Sequence, residues 1–229
     1  RYDYGDTGGS DWRNDAWLIK LEPEVYGCTN PDACNYNEEA NTDNGSCEYN
    51  SGAWYISVDG DNSNCGSEYY PVESISYALS NSATMIYVND GTYNENIDTF
   101  GSYSITSING PENTIINSPE YAFTVHDGFY GTISGFTITG NSRGIRIDGN
   151  GGATNGAASP SPTISNMRFL SCTSSGGAFI SGYETGSVII ENCLFANNST
   201  NSSIVGFTQP FGSSIIRNCT IVNNNIDNS

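Results

Sequence analysis

The segments Thr163-Ile-Ser-Asn-Met-Arg-Phe, Ile189-Ile-Glu-Asn-Cys-Leu-Phe and Ile215-Ile-Arg-Asn-Cys-Thr-Ile superimpose at a constant spacing of 26 residues. A period in that range comes from stacked units rather than from a closed globule. In this register Ile164, Ile190 and Ile216 form one apolar column, Met167, Cys193 and Cys219 a second, and Phe169, Phe195 and Ile221 a third. Ser165, Glu191 and Arg217 form a polar column between them, as a short strand with one buried face requires. Asn166, Asn192 and Asn218 break the alternation at one residue, which marks a bend, and their amides are expected to form a ladder between coils. A second, partial asparagine column runs through Asn198 and Asn224, with Cys172 in the same place one unit earlier.

The template extends upstream to Gly131-Thr-Ile-Ser-Gly-Phe-Thr-Ile, with Ile133, Phe136 and Ile138 inward and Gly135 in the asparagine position. Its offset to the next unit is 31 residues, so about five residues must bulge out, and the Gly-, Ala-, Ser- and Pro-rich stretch from Gly149 to Pro162 is where a strand cannot continue. Met85-Ile-Tyr-Val, Tyr103-Ser-Ile-Thr-Ser-Ile, Asn113-Thr-Ile-Ile and Ala122-Phe-Thr-Val read as further short strands, with no long amphipathic helix competing.

From Trp54 to Ser229 the chain resembles the right-handed parallel β-helix proteins of the pectin-lyase-like type. The phrases that carry the resemblance are Trp54-Tyr-Ile-Ser-Val-Asp-Gly-Asp, Ile86-Tyr-Val-Asn-Asp-Gly-Thr-Tyr and Gly110-Pro-Glu-Asn-Thr-Ile-Ile, together with the repeat. It implies an all-β fold, a right-handed parallel β-helix (solenoid), with a short helix from about Val72 to Leu79 capping its open end. The same scaffold carries lyases, hydrolases, adhesins and inert stalks, so it assigns no activity by itself.

Two further resemblances precede it. Gly27-Cys-Thr-Asn-Pro-Asp-Ala-Cys and the residues up to Tyr49 are similar to a Cys-, Asp- and Asn-rich spacer module of secreted proteins from Bacteroidetes-type bacteria. Gly8-Gly-Ser-Asp-Trp-Arg-Asn-Asp-Ala-Trp resembles the last strand of a propeller-type repeat. The expected organisation is a propeller-like end at 1–25, a Cys-rich spacer at 26–50 and a β-helix at 51–229, incomplete at its C-terminus. What these resemblances imply is an internal piece of a larger extracellular or cell-surface protein exported by the type IX route.

Composition agrees. Seven basic against 25 acidic residues give a formal charge of −18, which excludes nucleic acid and anionic membrane surfaces as expected partners. No apolar run is long enough to insert into a bilayer. Four cysteines in a core-poor secreted segment, Cys28, Cys34, Cys47 and Cys65, read as two disulfides with three pairings open. Zinc is the competing reading, weakened by the lack of a Cys-x2-Cys pair and by a single, distant His126. Cys193 and Cys219 stack about 4.8 Å apart with parallel side chains, so they are expected to stay free thiols that pack as small hydrophobes, and Cys172 is expected to be unpaired.

Residues 1–73 hold 15 of the acidic side chains and three of the basic ones, which makes the front third the place for a cation. Calcium is the expected cofactor, at Asp32, Asn35, Asn37, Asp43 and Asn44 in the spacer and at Asp59, Asp61, Asn62 and Asn64 in the loop after the first β-helix strand, because oxygen-rich loops suit a hard cation. Turn formation by the same residues is the alternative.

Catalytic patterns are thin. His126 is followed by Asp127-Gly128 rather than set in Gly-His-Gly, and Arg146-Ile147-Asp148 ends in the wrong charge for a polygalacturonase-like site. Arg143 and Arg146, with Asp127 and Asp148, are the one set that could line a face together, whereas acid-base work needs two titratable groups converging on a substrate. Glu191 and Arg217 should pair across coils as an exposed, weak ion pair. Tyr69, Tyr70, Tyr121, Phe129, Tyr130 and Tyr183 near turns offer stacking faces for sugars. Two readings follow. One is a non-catalytic structural or adhesive rod whose partner is extracellular polysaccharide or other copies of the protein. The other is a polysaccharide lyase or hydrolase whose catalytic face lies partly outside the fragment.

Overall fold

The computed structural model describes residues 22–140, 143–149, 159–174 and 176–227. The propeller-like strand expected before residue 22 and the bulge expected at 150–158 lie outside them. Apart from the first and last coils, each coil of the larger unit runs through a strand of a first sheet, a strand of a second and a strand of a third, all paired in parallel with the same strands of neighbouring coils. The first sheet holds Ala53–Ile56, Met85–Val88, Ser104–Ser107, Thr132–Ser134, Thr163–Ser165, Ile189–Glu191 and Ile215–Arg217. The second holds Gly91–Tyr93, Thr114–Asn117, Thr137–Thr139, Arg168–Leu170, Leu194–Ala196 and Thr220–Val222, and the third holds Ile97–Thr99, Tyr121–His126, Gly144–Asp148, Ile180–Tyr183 and Val205–Thr208. A narrow fourth sheet, Thr173–Ser174, Ser199–Thr200 and Asn225–Ile226, lies between the second and third in the later coils. The chain is a parallel β-helix.

The repeat sets the register. Ile133 pairs with Ile164, Ile164 with Ile190 and Ile190 with Ile216, so the apolar columns of the sequence are the walls of the core. Ile133, Ile164 and Ile190 are fully buried, each stabilising by roughly 1.5–3 kcal/mol relative to exposure. Phe169 and Phe195 stack at 4.6 Å in the second sheet. Cys172 and Cys193 are buried free thiols and Cys219 a partly buried one. Burial pushes the Cys172 and Cys193 thiols up to about 12.

Two corners turn each of the four later coils through left-handed backbone. The first passes through Gly135, Asn166, Asn192 and Asn218, with φ of 84°, 52°, 54° and 55°, and the second through Gly140, Ser171, Asn197 and Asn223, with φ of 82°, 54°, 57° and 53°. Glycine adopts this region without strain and asparagine more readily than other residues. The corner N–H then points along the stack: Asn166 N–H donates to Glu191 O and Asn192 N–H to Arg217 O. Asn166, Asn192 and Asn218 are exposed; the Asn166 amide reaches the coil before it, Nδ2 donating to Ser134 Oγ at 3.2 Å, and all three share the corner's backbone. The inward amide ladder is the other column. Buried Asn198 accepts from Cys172 N–H at 2.8 Å through Oδ1 and donates to Phe169 O at 2.9 Å and Asn224 Oδ1 at 2.8 Å through Nδ2. Asn224 Nδ2 repeats the bond to Phe195 O at 2.8 Å.

A helix, Ile75–Ser80, covers the first coil with buried Ile75 and Ala78. It starts three residues later than the sequence suggested, because Val72 is extended and bridges Ile56 while Ser74 caps the helix, its Oγ accepting from Tyr77 N–H. Glu95 supports the same end, accepting from the Ile75 and Ser76 N–H groups and from Ser74 Oγ, each at 3.0 Å. Gly131 marks the closest chain approach: a Cβ there would lie 1.8 Å from Tyr103 O.

Two compact units divide the chain. The smaller comprises Asn35–Cys47 with the segment ending at Pro31, and the larger comprises Asp32–Cys34 with Glu48–Ser229. The smaller is held by one parallel pair, Tyr26–Gly27 with Thr42–Asp43, and by the Cys28–Cys47 disulfide. Cys34–Cys65 is the second disulfide, within the larger unit. These bonds resolve the three open pairings and leave no thiolates for zinc at the four positions.

Candidate functional site

The outer face of the third sheet gathers the aromatic and charged side chains of the rod. Strand alternation puts Asp98, Thr124, Arg146, Ser181 and Gly206 in one outward column and His126, Asp148, Tyr183 and Thr208 in the next. Arg143 and Arg146 both lie over the ring of Tyr121, with guanidinium carbons 5.8 Å and 5.9 Å from its centroid. Arg146 also pairs with Asp148 at 2.7 Å. One coil before, the His126 ring stacks on exposed Phe100 at 4.2 Å and its Nε2 lies 3.2 Å from Asp98 Oδ1. An open groove of about 490 Å³ runs beside Arg146 and Asp148, past Ser181, exposed Tyr183, Ser203 and Phe207.

Cation–π contact with the Tyr121 ring gathers both guanidinium groups at one aromatic face, where their N–H groups can donate to hydroxyl or carboxylate oxygens. The faces of Phe100 and Tyr183 suit the apolar side of a sugar ring. Asp98 and Asp148 stand two coils and two residues apart, so their Cα atoms are separated by roughly 12 Å from strand spacing alone. Each carboxylate already faces a cationic or titratable partner.

Of the residues singled out by sequence, Arg143, Arg146, Asp148, Tyr121 and Tyr183 meet on this surface. Phe129 does not: it is fully buried, edge-on to Tyr103 at 5.1 Å. Tyr69 and Tyr130 are exposed elsewhere on the rod. The stacks Phe100 on His126 and Tyr55 beside Tyr87, at 5.3 Å, were missed by sequence reasoning. Their partners are 26 and 32 residues apart, so the coil offset was the available signal. Glu191 and Arg217 pair across coils, as expected, at 2.6 Å.

Five of the side-chain oxygens proposed for calcium, those of Asn37, Asp43, Asn44, Asp61 and Asn62, accept hydrogen bonds within their own loops or from the start of the helix. Asn37 Oδ1 accepts from Glu39 N–H, Asp43 Oδ1 from Gly45 N–H and Asn44 Oδ1 from Ser46 N–H, each at 3.0 Å, while Asn35 Nδ2 donates to Ser46 O. In the loop of the larger unit, Asp61 Oδ1 accepts from both Ser63 N–H and Ser63 Oγ at 2.7 Å, which holds its carboxyl below the usual carboxylate value. Asn62 Oδ1 accepts from Glu73 and Ser74 N–H, Asn64 Nδ2 donates to Pro71 O, and Asp59 N–H donates to Ser57 Oγ. Asp32 belongs to the larger unit together with Cys34. Among the described residues no three His, Cys, Asp or Glu side chains form a group that could hold a metal ion.

The two disulfides fit an oxidising, extracellular setting. No helix of the described residues is long and apolar enough to cross a membrane. Comparison with protein-family models, with curated proteins and with solved structures gives no significant match for this chain.

Proposed function

We propose that the chain is a non-catalytic extracellular structural or adhesive protein, a β-helical rod segment that meets extracellular polysaccharide, or further copies of itself, through the outer face of its third sheet. The carrying observation is the paired cation–π contact of Arg143 and Arg146 with Tyr121, Arg146 lying beside the groove that includes Tyr183. Hydrogen-bond donors held on an aromatic platform favour ring-bearing, oxygen-rich ligands. The spacer acts as a stapled joint, and the reading extends to the resemblances above: a pectin-lyase-like scaffold within a larger surface protein of the Bacteroidetes type, exported by the type IX route. Calcium, bound by the Asp- and Asn-rich loops of the spacer and of the first β-helix turn, would stiffen that joint.

The groove beside Arg146 and Asp148 favours one alternative, a polysaccharide lyase or hydrolase. Incubation of the protein with acidic and neutral polysaccharides, with calcium and then with chelator, separates the two. Co-sedimentation without product, weakened about tenfold or more by Tyr121→Ala, is the expected result. Release of unsaturated or reducing sugars would establish the enzyme instead.

A further inference from the structure

A pocket of about 330 Å³ opens at the start of the first sheet, lined chiefly by Glu48, Tyr49, Tyr55, Ser67, Glu68 and Tyr69. Tyr55 comes from the strand Ala53–Ile56, where Ile56 is buried in the core and Tyr55 therefore points outward. The directly paired Tyr87 sets its ring 5.3 Å from the Tyr55 ring. The remaining lining residues come from two short segments, one before that strand and one after it. Both are tied down. Cys34 N–H donates to Glu48 O at 2.7 Å, and the Cys34–Cys65 disulfide joins the same residue to the second segment. Asn50 Nδ2 donates to Cys65 O at 2.8 Å, and Tyr55 N–H donates to Gly66 O at 2.9 Å. All of these residues belong to the larger unit.

Three phenol rings and two carboxylates thus line one cavity, and residues 22–140 contain no Lys or Arg to meet them. Glu68 has neither a hydrogen-bond nor an ion-pair partner among the described residues. Tyr69 is 77% exposed. Ring faces carry the negative part of the aromatic quadrupole and attract cations, so rings and carboxylates pull in the same sense. A hard metal ion is a poor occupant, because it takes six or more oxygen ligands where this pocket offers two carboxylates. A methylated ammonium group fits better. It meets ring faces and carboxylates together, gives up its water more easily than a metal ion does, and asks for no hydrogen-bond acceptor. The formal charge of −18 draws such cations towards the chain from a distance.

We propose that this pocket binds a trimethylammonium group, the cationic head of choline and of its phosphodiesters. Glu48 and Glu68 supply the opposing charge, and Tyr49, Tyr55 and Tyr69 supply the ring faces. The site lies on the first sheet and is independent of the polysaccharide face on the third.

The test is a calorimetric titration of the protein, both disulfides intact, with choline chloride at low ionic strength. Saturable binding of one choline per chain is expected. Neopentyl carbinol, the uncharged carbon isostere of choline, should bind about tenfold or more weakly, since it keeps the shape and loses the cation–π term. Glu68→Gln and Tyr69→Ala, both at exposed positions, should each weaken choline several-fold with unchanged near-ultraviolet circular dichroism, and Tyr130→Ala should leave binding intact. Co-sedimentation with phosphatidylcholine vesicles, reversed by free choline, would place the group on a lipid. Binding of choline and phosphocholine without co-sedimentation would place it on a soluble ligand. Absence of saturable choline binding, equal binding of the isostere, or full binding by both Glu68→Gln and Tyr69→Ala overturns the proposal.

Discussion

At the residue scale the same letter does two jobs five or six positions apart. Asn192 is an exposed corner residue chosen for its backbone, and Asn198 is a buried side chain chosen for its amide. The sequence showed both columns, but an asparagine does not announce which of its properties is in use. The substitutions within each column do. Gly135 stands in the first because glycine matches left-handed backbone, whereas no glycine appears among Cys172, Asn198 and Asn224. The two roles separate on mutation. Asn198→Ala strands the Cys172 N–H and the Phe169 carbonyl in the core and should destabilise by about 3 kcal/mol. Asn192→Gly keeps the φ of 54° at no steric cost and should stay within about 0.5 kcal/mol. Urea unfolding of the two variants beside the parent measures the contrast, and equal losses would refute the division of labour.

At the element scale, strands were legible wherever the repeat was clean, because a period of 26 fixes both alternation and register. The candidate site was legible only as a scatter of residues. Phe100, Tyr121, His126 and Arg146 lie on earlier coils whose lengths vary, so their shared face appears only once the strands are paired. The capping helix shows the same limit: Ser74 could be read as its cap, but Glu95, which reaches it from the far side of two intervening strands, could not. Glu95→Ala removes the acceptor of two helix N–H groups and of Ser74 Oγ. It should cost about 1–2 kcal/mol, with Glu95→Gln losing less. Hydrogen exchange at the Ile75 and Ser76 amides is the direct readout, and unchanged protection would remove Glu95 from the account of the cap.

At the scale of the whole molecule, two kinds of stabilisation sit in one chain. The larger unit buries continuous apolar columns in which each coil touches its neighbours, so its stability accumulates along the stack. The smaller unit has two strands of two residues each and leans on Cys28–Cys47, as segments too small for a core generally do. Dithiothreitol should therefore open residues 22–47 to proteolysis while the far-ultraviolet β signal of the rod persists. Collapse of that signal on reduction would mean that the rod itself depends on its Cys34–Cys65 bond.

Ile133 and Ile164 pair directly although 31 residues separate them, and Ile105 and Ile133 pair across 28, while later turns close in 26. The circumference of a coil is thus a free variable and the alignment of its walls is not. Coils of different length bring their isoleucines into one register, so the columns on either side do not record the difference. Evolution, or a protein engineer, can accordingly lengthen a coil between its strands, changing what the rod presents without renegotiating how it stands.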